Sequence, residues 1–250
     1  MLENTFIHIP GIGKKTEQML WDRGILCWSD FLNSNEPIFS NARDRFIKDE
    51  LKASLDSIFD ISFFKNRLSS GEMWRLFKSF QDGTVYLDIE TSGGYQGTDE
   101  ITVIGIYDGK NVQTFINGIN LEKFEISIEP YDLMITFNGT CFDVPYIRRQ
   151  FRNISLPVAH IDLRFVLKRL GYNGGLKKIE REMGLARSRE IDGMNGYHAI
   201  MLWKEYQWGE KGALDKLIKY NTADISNLEP LMERAYRELM DSLLPSVLSV

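Results

Sequence analysis

Apolar positions along this chain change their period once, near residue 81. From about Asn35 to Phe80 they recur at spacings of three and four, as in FIKDELKASLDSIF and MWRLFKSF, which is the period of a helix face. After QDG at 81–83 the pattern becomes short β-rich runs, VYLDIE, ITVIGIY and VQTFIN. The second and third are joined by YDGKN, whose Asp-Gly signals a hairpin. A fourth run, LMITFN, leads into a helix through FDVPYIRRQF, and HIDL reads as a short fifth strand feeding RFVLKRL. From there the chain is helical to its end, interrupted at GYNGG, MGLARS and WGEKG. A three-strand meander followed by strands alternating with helices predicts an α/β fold, a sheet of mixed direction flanked by helices. Residues 1–33 form a small apolar and glycine-containing helical region, 34–80 a helical connector, and 81–250 the principal domain.

Composition and charge narrow the classes. At 250 residues and 43% hydrophobic, the chain is long enough for one full core and a small appendage. No run approaches the roughly 18 apolar residues that span a bilayer, and MLENTFIHIPG lacks the basic flank and apolar centre of a secretory signal, so a cytoplasmic protein without a membrane partner is expected. Cys27 and Cys141 lie far apart with no metal-ligand spacing and read as packing residues. The formal net charge of −5 argues against a polyanion partner until its distribution is examined. Between Pro145 and Glu190 stand eleven Lys and Arg against four acids, a net of +7 that leaves −12 for the remainder. A basic stretch beside an acidic remainder suits a chain that binds nucleic acid and holds carboxylates for a metal; it equally suits a solvated helical face.

The acids carry the chemistry. In a strand, side chains alternate faces, so Tyr86, Asp88 and Glu90 point one way and Val85, Leu87 and Ile89 the other. Two like charges on one face repel unless a cation lies between them, and a hard divalent ion with oxygen ligands is the simplest compensation. Two ordinary acids on a solvated strand are the bland alternative. Asp143 stands past the fourth strand at the opening of an Arg-rich helix, where an acid also favours the helix dipole. Tyr220 and Asp224, four residues apart in KYNTADISNLEPL, share one helix face, while Leu217, Ile218, Ile225 and Leu228 suggest that the helix packs on the sheet.

Together these pieces resemble the DEDD superfamily of 3′-to-5′ exonucleases, a ribonuclease H-like fold. DIE stands for the first motif, NGTCFD for the second, and YNTAD for the tyrosine form of the third; the histidine form would need His at the position of Lys219. The match runs from about Gln81 to Leu231, and HIDL, GGLKKIE and YNTADISNL also look like a branch of predicted exonucleases within it. The resemblance implies that Asp88, Glu90, Asp143 and Asp224 hold two Mg²⁺ or Mn²⁺ ions, with Asp88 bridging them. It implies that Tyr220 orients the attacking water, and that DNA or RNA is cut to nucleoside 5′-monophosphates from single-stranded ends. Thr91, Asn138, Arg148 and Lys177 are the expected contacts to nucleic acid, although ordinary turn chemistry before Gly93 and Gly94 explains Thr91 equally well. Phe142, Tyr146, Tyr172 and Tyr197 are available for stacking, although each also suits a core. Asp162 either assists substrate or holds the neighbouring loop, or simply caps the helix after it. A nucleic-acid-binding factor without catalysis and a metal-dependent endonuclease are the competing expectations.

FIHIPGIGKKTEQMLWDRGI near the start departs from a P-loop fingerprint, because Lys14 is followed by Lys15 and position 8 is His. It resembles a helix-hairpin-helix segment instead. The amides of Gly11 and Gly13 at a helix start, with Lys14 and Lys15, would then meet a phosphate; a plain helix start is the alternative.

Overall fold

A computed structural model describes residues 1–94 and 99–244. The expected principal domain therefore includes two stretches, 95–98 and 245–250, that lie outside the described residues. The chain divides into two compact units, one of residues 82–235 and one joining residues 1–81 to the segment from 236 onward.

In the larger unit, β1 (Thr84–Thr91), β2 (Ile101–Tyr107), β3 (Val112–Ile116), β4 (Leu133–Thr136) and β5 (Ala159–Asp162) form one sheet in the order β3-β2-β1-β4-β5. The first three strands pair antiparallel as a meander, and β4 and β5 add in parallel. This is the mixed sheet of a ribonuclease H-like fold. The hairpin turn at Asp108 is held by its carboxylate, which accepts from the amides of Lys110 (2.8 Å) and Asn111 (2.7 Å).

Alternation along the central strand β1 sorts its side chains onto two cores. Val85, Leu87 and Ile89 join Ile104, Ile106, Phe124, Met134 and Ile147, so one face lies under α5 (Phe124–Ile128) and α6 (Asp143–Gln150). The opposite face meets α9 (Gly196–Gln207) and α10 (Lys211–Leu243), where Val103 and Ile116 pack with Leu202, Trp203, Leu217 and Tyr220. Two further helices, α7 (Leu163–Arg169) and α8 (Leu176–Glu182), follow β5. At the end of β1 the register slips: Glu90 pairs with Val103 but Thr91 pairs with Ile101. This bulge leaves Thr102 without an opposite residue and lets Ile101 and Ile104, three apart, enter the same core.

The smaller unit contains α1 (Lys14–Asp22), α2 (Trp28–Asn33), α3 (Asn41–Asp56) and α4 (Ile61–Lys65). MWRLFKSF, which the spacing predicts as an α-helix, instead lies in a 3₁₀ stretch, Ser70–Leu76, and the turn after it. A buried ion network accounts for the tighter winding being held there. Arg75 donates to Glu72 (2.7 Å), to both carboxylate oxygens of Glu17 (3.1 and 2.9 Å) and to the Thr5 hydroxyl (2.6 Å). Glu17 also accepts from the Phe6 amide at 2.7 Å, and Arg75, Glu72, Glu17 and Thr5 are each at most 2% exposed. Among the described residues no helix is long and apolar enough to cross a membrane.

Candidate metal centre

Three acids predicted from sequence converge. One carboxylate oxygen from each of Asp88, Glu90 and Asp224 lies within 4.8 Å of the others. Asp88 and Glu90 arrive from one face of β1, and Asp224 from α10, which crosses that face. Asp88 is partly exposed, whereas Glu90 and Asp224 are buried. Asp143 opens α6 and is 2% exposed, with its Oδ1 accepting from the Ile89 amide at 3.0 Å, between the two acids of β1. It thus borders the cluster through the backbone of β1 without joining the three-oxygen group.

Electrostatics indicate what this arrangement favours. Burial, then the charges of Asp224, Glu90 and Asp143, push the Asp88 carboxyl well above its ordinary range, and Lys177 opposes the shift. Burial and Asp224 do the same to Glu90. Burial also raises Asp143, to about 7, although its own backbone amide and that of Ile89 pull it down. Clustered hard oxygen donors that resist ionisation together are suited to a divalent cation, which favours their charged forms. The donor set therefore fits Mg²⁺ or Mn²⁺ better than a soft metal.

Tyr220 is 2% exposed and one turn before Asp224 on α10. Burial, reinforced by Asp224, Glu90 and Asp88, pushes its phenol upward. The Lys177 ammonium lies 4.3 Å from its ring centroid.

Residues beyond those singled out within the motifs complete the site. Asn221 Nδ2 donates to the Asp88 carbonyl at 3.2 Å and to Asp88 Oδ2 at 3.0 Å, fixing the acid from behind. This is possible because Gly105, paired with Asp88 on β2, has no side chain: a Cβ there would lie 2.0 Å from Asn221 Oδ1. Arg187 bridges two buried acids, donating to Glu180 at 2.7 and 2.6 Å and to Asp224 Oδ1. The signal available in sequence was an asparagine between Tyr220 and Asp224 on a helix otherwise packed on the sheet; Glu180 had only its place at the end of GGLKKIE, and Arg187 had no such signal.

The expected nucleic-acid contacts separate. Asn138 and Lys177 line a cavity of about 370 Å³ together with Asp88, Arg164 and Asp224. Asn138 has φ 69°, and Asp162 holds this loop by accepting from the amides of Asn138 (2.7 Å) and Thr140 (3.0 Å). Asp162 also caps α7, accepting from the Arg164 amide at 3.1 Å, so the loop-holding and capping roles coexist in one carboxylate. Thr91 is buried at the end of β1, and Arg148 is exposed on α6. Of the aromatics, Phe142 and Tyr197 are exposed, and Tyr146 and Tyr172 are partly buried. In the smaller unit, Gly13 caps α1, Gly11 has φ 80°, Lys15 is exposed, and Lys14 pairs with the buried Glu72 at 2.5 Å.

A mixed sheet that gathers carboxylates from its central strand and a crossing helix defines the class to which comparison leads. Residues 85–236 match the family model described as RNase_H superfamily, and the chain belongs to that superfamily. The match is consistent with the DEDD exonuclease resemblance of the three motifs. No curated protein matches the chain. Among solved structures, it is similar to the family B DNA polymerase from the hyperthermophilic archaeon Pyrobaculum calidifontis, with 16% identity and a TM-score of 0.49, covering 60% of this chain and 24% of the polymerase. It is also similar to the Aedes aegypti Nibbler EXO domain, with 10% identity and a TM-score of 0.46, covering 69% and 91% of the two chains. A third is Brucella melitensis NrnC, with 18% identity and a TM-score of 0.44, covering 66% and 77%. Other structures of NrnC hold pGG or Mg²⁺. This chain thus spans about a quarter of the polymerase's length.

Proposed function

We propose that this chain is a divalent-metal-dependent 3′-to-5′ exonuclease of the DEDD type, acting on single-stranded ends of DNA or RNA and releasing nucleoside 5′-monophosphates. The observation that carries the reading is the convergence of Asp88, Glu90 and Asp224 within 4.8 Å beside the buried Asp143. These four acids would hold two Mg²⁺ or Mn²⁺ ions, which supply charge stabilisation at the phosphoryl oxygens and activation of water.

The chain's own groups divide the remaining work. Asn221 keeps Asp88 fixed through two hydrogen bonds. Tyr220, with its phenol held neutral by burial, orients the attacking water as a donor and does not act as a base. Lys177 and Arg164, on the wall of the cavity that Asp88 and Asp224 share, attract the phosphate of the terminal nucleotide. Thr91, Asn138 and Arg148 are proposed as further contacts to the strand. In the smaller unit, Gly11, Gly13 and Lys15 are proposed to hold phosphate at the start of α1.

A 5′-labelled single strand incubated with the protein and Mn²⁺ should shorten stepwise from its 3′ end, and a 3′-blocked strand should resist. Internal cuts in a circular or doubly blocked strand would instead identify an endonuclease. Binding without any cleavage would identify a non-catalytic factor.

A further inference from the structure

Asp224 has both carboxylate oxygens taken by cations that are held in different ways. Oδ1 accepts from Arg187, and Oδ2 from the Lys177 ammonium at 2.9 Å. The Arg187 side chain is 4% exposed and is locked by its double contact with Glu180, which Asn227 Nδ2 secures in turn at 3.0 Å. Moving Arg187 would strand two buried acids. The Lys177 side chain is 31% exposed, on the first turn of α8 just after the glycines at 174 and 175. It borders the 370 Å³ cavity with Asp88 and Asp224, and a second cavity of about 530 Å³ lined also by Glu180, Arg181 and Arg187. Its ammonium therefore has space to enter, at the end of a flexible stem.

We propose that Lys177 is an exchangeable resident cation: it neutralises Asp224 Oδ2 until a divalent ion enters the cluster, then moves into the adjoining cavity and faces the phosphate of the bound strand. Arg187 remains in place and keeps Oδ1 fixed, so that Asp224 turns neither away from the cluster nor out to solvent. The same charge that guards the metal-free cluster from its own repulsion thereby becomes a phosphate contact when the metal replaces it. This rests on the metal-centre reading above and assigns Lys177 a role in metal binding that a simple phosphate contact would not have.

The test is equilibrium binding of Mn²⁺ at pH 8 to the full chain without nucleic acid, comparing wild type with Lys177→Met and Lys177→Arg. With the competing ammonium gone, Lys177→Met should bind Mn²⁺ on the order of fivefold or more tightly than wild type, and Lys177→Arg no more tightly than wild type. The Met variant should also bind a single strand more weakly, with a shallower salt dependence. Lys177→Gln gives the same comparison if the Met variant does not fold. Mn²⁺ binding by the neutral variants that is equal to or weaker than wild type overturns the exchange. Mn²⁺ binding by none of the proteins overturns the metal-centre reading and the exchange with it.

Discussion

Replacing Asp143 by Asn should stabilise the metal-free protein at alkaline pH while removing one of the carboxylates proposed to hold metal. The carboxyl is 2% exposed, and burial raises it from 3.8 to about 7, against the opposing pull of the two amides that donate to it. Its folded value exceeds its unfolded value, so the folded state holds the proton more tightly. The contribution to stability is fully present below about pH 4 and is lost as pH rises through 7. At about 1.36 kcal/mol per pKa unit, the loss at pH 8 is on the order of 4 kcal/mol. Asparagine keeps an Oδ1 to accept from the Ile89 amide, now 3.0 Å away, but carries no charge to desolvate. Its Nδ2 needs a new acceptor, so only part of the loss returns, about 1–3 kcal/mol. For a domain of this size that corresponds to a rise of about 2–12 °C in melting temperature. Scanning calorimetry in EDTA at pH 5 and pH 8 would measure it: the gain should appear at pH 8 and shrink strongly at pH 5, and Mn²⁺ should stabilise wild type more than the variant. A variant that melts at or below wild type at both pH values would refute the reasoning.

In the smaller unit, Arg75→Met leaves Glu17 and Glu72 buried without their shared guanidinium; a loss of about 3–5 kcal/mol in denaturant unfolding is expected. Gly105→Ala forces Asn221 off Asp88, because the new Cβ would lie 2.0 Å from Asn221 Oδ1; chemical denaturation should show a cost of about 1–3 kcal/mol, with a lower cleavage rate. Lys15→Gln is a cleaner probe of the start of α1 than Lys14, whose ammonium already pairs with Glu72 at 2.5 Å. The slope of log binding constant against log salt for a single strand should fall by about 0.7, and an unchanged slope would remove the phosphate role from this segment.

Much of this was legible because local periodicity and site chemistry coincide. Alternation in VYLDIE placed Asp88 and Glu90 on one face and Val85, Leu87 and Ile89 on the other, and the structure gives those faces to different helices. A four-residue interval similarly put Tyr220 with Asp224. Pairing across the sheet was not legible: nothing local to Gly105 says that it lies opposite Asp88, or that its missing side chain admits Asn221. Arg187 and Glu180 escaped for the same reason, since their bridge to Asp224 exists only once α10 and the segment after α8 meet. The bulge at Glu90 and Thr91 is another product of pairing, and the 3₁₀ winding around Arg75, which spacing alone would make an α-helix, lies where a buried ion network is centred.

The most direct measurement is product release from a single strand labelled at its 3′-terminal nucleotide, followed by mass spectrometry in Mn²⁺, in EDTA and with Asp88→Asn. The account predicts nucleoside 5′-monophosphate released first from the 3′ end, only with metal, and at least about a hundredfold more slowly by the variant, as expected when metal-assisted hydrolysis loses a ligand. Release of no mononucleotide from DNA or RNA, or release at the wild-type rate by Asp88→Asn, would contradict it.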